Sequence, residues 1–310
     1  MDTGHKRYEI FLKVAETGNI THAAEILHYT QSGVSHAIAA LEKETGFPVF
    51  RRSRHGVVLT PGGQRLVRPI RQLVNQKQDL AQVIADINHV VSGTLRIGTF
   101  TSVSVEWLPG LIQQFRQRYR NVDFELCAGD YDEIREGILD GRLDCGFLTE
   151  AVAGQLAYVP LYQDEMKVLM NPQHPLARRA AISLEDLLSE DFIVPLAGSD
   201  DDLWRAVRPY GNQIHVRYRL NDDFSVMALV AGGFGISLMP DLLLHHLNFD
   251  LVSRSLTPPV YRILGIASLS GRQPAPVTRT FLQTLPEMLA RLPQNLLAVP
   301  SESPYTKKQR

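Results

Sequence analysis

Cysteine occurs only twice in the 310 residues, at Cys127 and Cys145. The two follow apolar strand-like runs and form no CxxC and no zinc-ligand spacing, which excludes a disulfide-stapled or zinc-finger scaffold. They read either as two small core residues in a reducing compartment or as a redox-switch pair. Long apolar runs are also missing. The longest uncharged window, Phe224 to Pro240, falls short of the roughly 20 residues a membrane span needs. It also contains Gly232, Gly233, Gly235 and Pro240, so a buried helix–turn–strand suits it better. The N-terminal MDTGHKRYEIF has no apolar signal segment. A cytoplasmic protein with no membrane partner is expected. The vocabulary of catalysis is equally thin: there is no GxSxG, P-loop or HExxH, and Gly232-Gly233-Phe234-Gly235 does not fit a dinucleotide-binding GxGxxG. The ten histidines are scattered, and His245-His246 has no further ligand at useful spacing. Neither a metal nor a cofactor is expected, and an enzyme reading has no residues to rest on.

What is present begins with an uneven charge. The formal net charge is −1, yet the stretch from Thr45 to Lys77 holds seven Lys/Arg and no acid. A basic patch on a nearly neutral chain of two-domain length suggests a polyanionic partner for one domain.

That patch adjoins three short helical patterns. Tyr8, Phe11, Leu12, Val14 and Ala15 recur at helical spacing, with Gly18 as a stop. A second helix is predicted from Thr21 as its cap through Leu27. A third opens near Ser32, turns Val34, Ile38 and Leu41 inward and ends at Gly46. Two helices across a tight turn make a helix-turn-helix, whose second helix enters the major groove. Gln31, Ser32, Ser35 and His36 crowd its first turns; Gln suits adenine and Ser either member of a pair, although each alone is also an ordinary solvated residue. Next, Phe47 to Thr60 reads as two strands around a polar tip of Arg54, His55 and Gly56. Such a wing puts Arg51, Arg52 and Arg54 within reach of phosphate or the minor groove.

The run AAEILHYTQSGVSHAIAALEKETGFPVFRRSRHGVVLTPGG resembles the N-terminal signature of the LysR-type transcription regulators. It has the paired alanines, the TQSxVS opening of the recognition helix, the P-x-F-R-R strand and the LTxxG exit. The resemblance implies that Gln31, Ser32, Ser35 and His36 read bases while Arg52 and Arg54 grip the backbone. His36 departs from the Arg or Gln, and Gly33 from the Ala or Pro, common in the family.

Thr60 with Pro61 at N1 starts a further helix. Along it Leu66, Ile70, Leu73, Leu80, Ile84, Ile87 and Val91 fall at alternating steps of four and three, an a/d seam for a partner helix; the alternative is an amphipathic helix lying on its own domain. Pro69 should kink it. Arg65, Arg68 and Arg71 lie off the seam beside the wing. The family dimerises through this helix, so a homodimer, commonly assembled into a homotetramer, is implied. RNA polymerase joins the partners if the protein activates.

Beyond Ser92-Gly93, strands and helices alternate: Thr94–Thr99, a helix from Val105 to Tyr119, Val122–Ala128, a helix Tyr131–Leu139, and Cys145–Thr149. This predicts parallel sheets wrapped by helices. LPGLIQQFRQRYRNVDFEL, HPLARRAAISLEDLL and ALVAGGFGISLMP resemble the family's effector domain. The resemblance implies a winged helix-turn-helix (1–60), a linker helix (61–92) and an α/β two-lobed, periplasmic-binding-protein-like effector domain (93–300). Lobe I would take 93–162 and 267–300, lobe II 163–266, and 301–310 would be a disordered tail. A small-molecule effector would lie in the cleft. Thr99, Thr101, Ser102 and Ser104 make a hydroxyl-rich strand-to-helix turn suited to an anion, although simple capping explains them equally. Thr149, Ser199 and Asn221 are placed across the cleft. Asp222 and Asp223 are either solvated or, if they face inward, call for an amine or hydroxyls. Two rivals stand beside the regulator: an enzyme carrying a DNA-binding module, and a solute-binding module that the DNA module merely tethers.

Overall fold

The computed structural model describes residues 3–292 apart from 55, 89, 197–200 and 246–248. The chain separates into two compact units, residues 1–93 with 140–142 and residues 94–139 with 143–310. The expected tail at 301–310 lies outside the described residues.

In the first unit, α1 (Thr3–Thr17) stops at Gly18, which adopts φ +61. The next helix, α2 (Ile20–Ile26), is capped two residues earlier than Thr21: Asn19 Oδ1 accepts the Thr21 and His22 amides at 2.9 and 3.1 Å. Asn is the stronger cap of the two residue types. Thr30 caps α3 (Gln31–Thr45), its Oγ1 accepting the Gly33 amide at 3.1 Å, and Gly46 closes the helix at φ +78. Val34, Ile38 and Leu41 join Phe11, Val14, Ala23 and Ala24 in one core. The wing is an antiparallel pair, β1 (Phe50–Ser53) and β2 (Gly56–Leu59), with Arg52 opposite Val57. Its tip end is fastened to the α1–α2 turn, because the Val57 amide, one rung in from the Ser53–Gly56 pair, donates to the Gly18 carbonyl at 2.8 Å. Gly56 adopts φ +134 there, and a Cβ on it would meet that same oxygen at 2.2 Å, so only glycine fits.

Thr60 and Pro61 start α4 (Pro61–Ile87), which runs unbroken across Pro69. Its early turns belong to the first unit's core. Ile70 and Val74 are buried there, and Leu66 and Val67 pack against them. The expected seam is therefore corrected at its start, since Leu66 and Ile70 are committed to their own chain. Further along, Leu73, Leu80, Ile84 and Ile87 are 40%, 60%, 54% and 72% exposed.

The second unit begins with β3 (Ser92–Thr99), α5 (Thr101–Glu106), α6 (Leu108–Arg118), β4 (Asn121–Ala128), α7 (Tyr131–Leu139), β5 (Cys145–Thr149) and α8 (Glu150–Ala153). The single helix expected over 105–119 is two, because Pro109 has no amide to continue α5 and instead opens α6. Then follow β6 (Ala157–Met170), β7 (Ala181–Ile182), β8 (Asp191–Pro195), α9 (Asp201–Ala206), β9 (His215–Leu220), α10 (Asp223–Ala231), β10 (Ser237–Pro240), β11 (Val252–Ser268) and α11 (Pro276–Ala290).

The main sheet runs β10-β6-β11-β5-β3-β4, with β7 beside β11. β3 and β5 are parallel as expected, but β6 and β11 form a long antiparallel pair, so the sheet is mixed. At one end of that pair Leu264–Ser268 continues onto β5; at the other, Met166–Leu169 continues onto β10. Hydrophobic centres form at both ends. One gathers Ile134, Ile138, Leu143 and Leu148; at the other end Val168, Phe192, Val194 and Ile236 form a second, with Leu169, Ile193, Val226 and Met239 in a further cluster there. β6 and β11 pass between them. Cys145 is buried in β5, where burial above all, with Asp144 beside it, holds its thiol protonated; Cys127 is exposed on β4. β3 separates their strands, a gap of about 9 Å at normal sheet spacing, beyond disulfide reach. The redox-pair alternative falls, as does the expectation that both thiols are buried.

Candidate functional site

Two surfaces carry the residues of interest. On the first unit, the caps and inward residues of α3 leave Gln31, Ser32 and His36 exposed and Ser35 half-buried on its opening turns. Gly33 fits the cap closely: a Cβ there would come within 3.1 Å of Thr30 Oγ1. Arg51, Arg52 and Arg54 are exposed on the wing, and no ion pair engages them among the described residues. The unit thus presents a polar helix face and unneutralised guanidiniums, a pairing of base-edge donors with phosphate partners.

The second surface lies in the second unit, where the Phe100–Ser102 turn meets the crossover strands. Burial excludes most water there, and the central cation is Arg262 on β11, directly opposite Asp164 on β6. Its Nε and Nη2 donate to Asp164 Oδ2 at 2.9 and 2.7 Å. Nη1 donates to Asp202 Oδ2 at 2.9 Å and to Tyr131 Oη at 3.0 Å, and Nη2 also reaches Ser102 Oγ at 2.8 Å. Tyr131 Oη in turn donates to Asp202 Oδ2 at 2.7 Å. The guanidinium lies 5.5 Å from the centre of the Phe100 ring, within cation–π range. Burial opposes its charge, but Tyr131, Asp164 and Asp202 together outweigh that and hold it charged well beyond its ordinary range. Burial also keeps the Tyr131 phenol protonated and is the larger influence on Asp164, lifting its carboxyl against the pull of Arg262. Deleting one partner of such a buried ionic group typically costs about 3–5 kcal/mol.

A cavity of about 80 Å³ opens beside this network, lined by Thr101, Ser102, Asp130, Tyr131, Asp223 and Arg262 among others. A larger one, about 300 Å³, lies across it and is lined by Thr149, Glu150, Arg205, Tyr261 and, again, Asp202 and Arg262. The expected effector residues are therefore divided. Thr101 and Ser102 face the smaller cavity, Thr149 the larger, and Thr99 and Ser104 hydrogen-bond to each other at 3.0 Å. Asn221 is exposed and lines neither, and Ser199 lies outside the described residues. Asp222 caps α10, accepting the Ser225 amide at 2.8 Å, whereas Asp223 faces the smaller cavity and bonds Thr101.

The sequence reading missed Arg262, Asp164, Asp202 and Tyr131. A signal existed for two of them: Arg262 sits in the apolar run from Val260 to Ile266, and Asp164 shares an alternating strand face with Tyr162, Met166 and Val168, and a charge on such a face implies a buried partner.

Comparison with known proteins bears on both surfaces. Residues 5–64 match the family described as bacterial regulatory helix-turn-helix protein, lysR family, and residues 88–290 the LysR substrate binding domain. The uncharacterized HTH-type transcriptional regulator YvbU of Bacillus subtilis is 30% identical over 283 residues, 90% of this chain and 97% of its own. The fold is shared with full-length CbnR complexed with its target DNA, at a TM-score of 0.65 and 20% identity, covering 92% and 99% of the two chains. The CcmR regulatory domain of Synechocystis, solved in complex with 2-PG, superposes with a TM-score of 0.60 at 25% identity, covering 65% of this chain and all of that one. No described helix is long and apolar enough to cross a membrane. Families and relatives alike are transcriptional regulators rather than enzymes, and the chain belongs to the LysR family of DNA-binding transcription regulators, with a helix-turn-helix domain and an effector-binding domain.

Proposed function

We propose that this regulator binds promoter DNA as a dimer or tetramer and responds to a small effector, bearing an anionic group, at the Phe100–Ser102 turn. Gln31, Ser32, Ser35 and His36 meet base edges, and Arg52 and Arg54 meet phosphates. The observation that carries the DNA assignment is the exposed polar opening of α3 beside wing arginines that no carboxylate neutralises. The partner helix packs on Leu73, Leu80, Ile84 and Ile87, a stripe too apolar to leave in water. The anionic effector is supported by the hydroxyls of Thr101 and Ser102 beside the Arg262 guanidinium, and by the 2-PG complex of the CcmR regulatory domain.

The test is a set of retardation assays, at several salt concentrations, on DNA upstream of the gene and of its divergent neighbour. Wild-type protein should prefer one of these fragments over scrambled DNA. Equal affinity for all of them would refute sequence-specific binding.

A further inference from the structure

The cavity beside the hydroxyl turn leaves little room for a ligand. The cavity beside Thr101 and Ser102 is about 80 Å³, while ordinary ligand pockets begin at roughly 300 Å³. Space is not missing from the region, since about 300 Å³ lies on the other side of Arg262. Met166, Asp202 and Arg262 line both cavities, so they form the wall between them. Arg262 and Met166 are fixed in the crossover strands. Asp202 is the part of that wall carried on a separate short helix, α9.

The wall has the chemistry of an occupied binding site. One oxygen, Asp202 Oδ2, takes both the Tyr131 hydroxyl and an Arg262 N–H, which are the donors an external carboxylate or phosphate would seek there. Asp164 already neutralises Arg262 through two hydrogen bonds. Asp202 is therefore a second anion on a cation that has its counter-charge, and a carboxylate of the ligand in its place would leave the local charge unchanged, while a phosphate would add to it. Thr149 Oγ1 is a further donor awaiting a partner. It is buried in the wall of the larger cavity and has no hydrogen-bond partner among the described residues.

We propose that Asp202 is an internal stand-in for the effector: its carboxylate occupies the place on Arg262 and Tyr131 that the anionic group of the ligand takes, and its departure joins the two cavities into one ligand-sized site. This inference rests on the effector reading above and deepens it. The ligand carries one compact anionic group, a carboxylate or a phosphate. Its remaining body extends toward Thr149 and Arg205.

The stand-in can be removed without knowing the effector. In the full-length Asp202→Ala variant Arg262 keeps Asp164, so a one-to-one pair remains and the vacated place should accept small anions. Thermal melts in sodium acetate, and separately in inorganic phosphate, are compared with sodium chloride at matched ionic strength. Expected is a saturable rise in Tm of several degrees for Asp202→Ala, in acetate if the place suits a carboxylate and in phosphate if it suits a larger oxyanion. Wild type should show no such rise. Asp202→Ser offers a milder opening should the alanine variant not fold, and is expected to respond in the same way. A response equal to that of wild type in both anions, or a crystal soak placing acetate away from Arg262, would overturn the proposal. If wild-type protein fails to retard promoter DNA, the regulator reading falls while the anion result stands.

Discussion

Among single residues, the wing arginines differ in kind from those of the second unit. Arg262 is enclosed by acids, whereas Arg52 and Arg54 stand in solvent without an ion-pair partner among the described residues. An exposed guanidinium that touches a phosphate contributes through counterion release, without regard to sequence. Arg52→Ala and Arg54→Ala should each weaken binding to specific and scrambled DNA alike and reduce the slope of log K against log salt by about one. A changed base preference at constant slope would make the residue a groove reader instead. Asp223 gives a second residue-scale test. Burial is the largest influence on its carboxyl and raises it, with the Thr101 hydrogen bond and the Arg262 charge pulling the other way. A raised acid binds more protons in the folded than in the unfolded chain, so it lowers stability as pH climbs above the ordinary carboxylate value. Asp223→Asn should remove that component. Melts of mutant and wild type near pH 4 and near pH 7 should show the mutant gaining relative to wild type at the higher pH; a gain that is equal at both values would exclude titration as its source.

At the scale of elements, α4 has two roles along its length, and substitutions should separate them. Ile70 is buried in the first unit's core, so Ile70→Ala should destabilise that unit by about 2–5 kcal/mol. Leu80 is 60% exposed, so Leu80→Asp should leave folding intact and turn the dimer into monomers. Sedimentation analysis of full-length protein reads the second effect and chemical denaturation the first; a dimer surviving Leu80→Asp would refute the seam. The heptad pattern in the sequence foretold an apolar stripe but not where it changes partners. Leu66 and Leu80 are the same residue at equivalent positions, and only the packing of α1–α3 distinguishes them. The elements of the helix-turn-helix were more legible, because caps and stops act through neighbours in sequence. Gly18, Gly46 and Thr60 serve where local rules put them, whereas α3 opens one residue before Ser32 with Thr30 as its cap and α2 takes Asn19 rather than Thr21.

For the whole molecule, the effector response is the property to test. Thr101→Val with Ser102→Ala deletes two hydroxyls of the proposed anion site without adding bulk, at about 1 kcal/mol or more each. The double variant should still retard promoter DNA yet need markedly more effector to change its footprint. Response at wild-type effector concentrations would move the site elsewhere. The sequence made the hydroxyl turn visible and hid what surrounds it. No acid lies between Gly98 and Val105. Folding then brings Asp130, Asp202 and Asp223 to the same cavity from distant segments. Arg262 and Ser102 touch across 160 positions and Arg262 and Tyr131 across 131, separations at which no periodicity or spacing rule speaks.

The β6–β11 pair has a mechanical meaning as well. Its ladder holds Arg262 against Asp164 midway, and its register slips twice, between Ser255 and Val260 and between Leu264 and Gly265. Strand pairs carry a right-handed twist, and a bulge strengthens it locally. The pair is thus one continuous twisted ribbon that both hydrophobic ends share, with a slip on either side of Arg262. A substitution that removed either slip would change the twist between the two ends while leaving every residue of the Arg262 network in place.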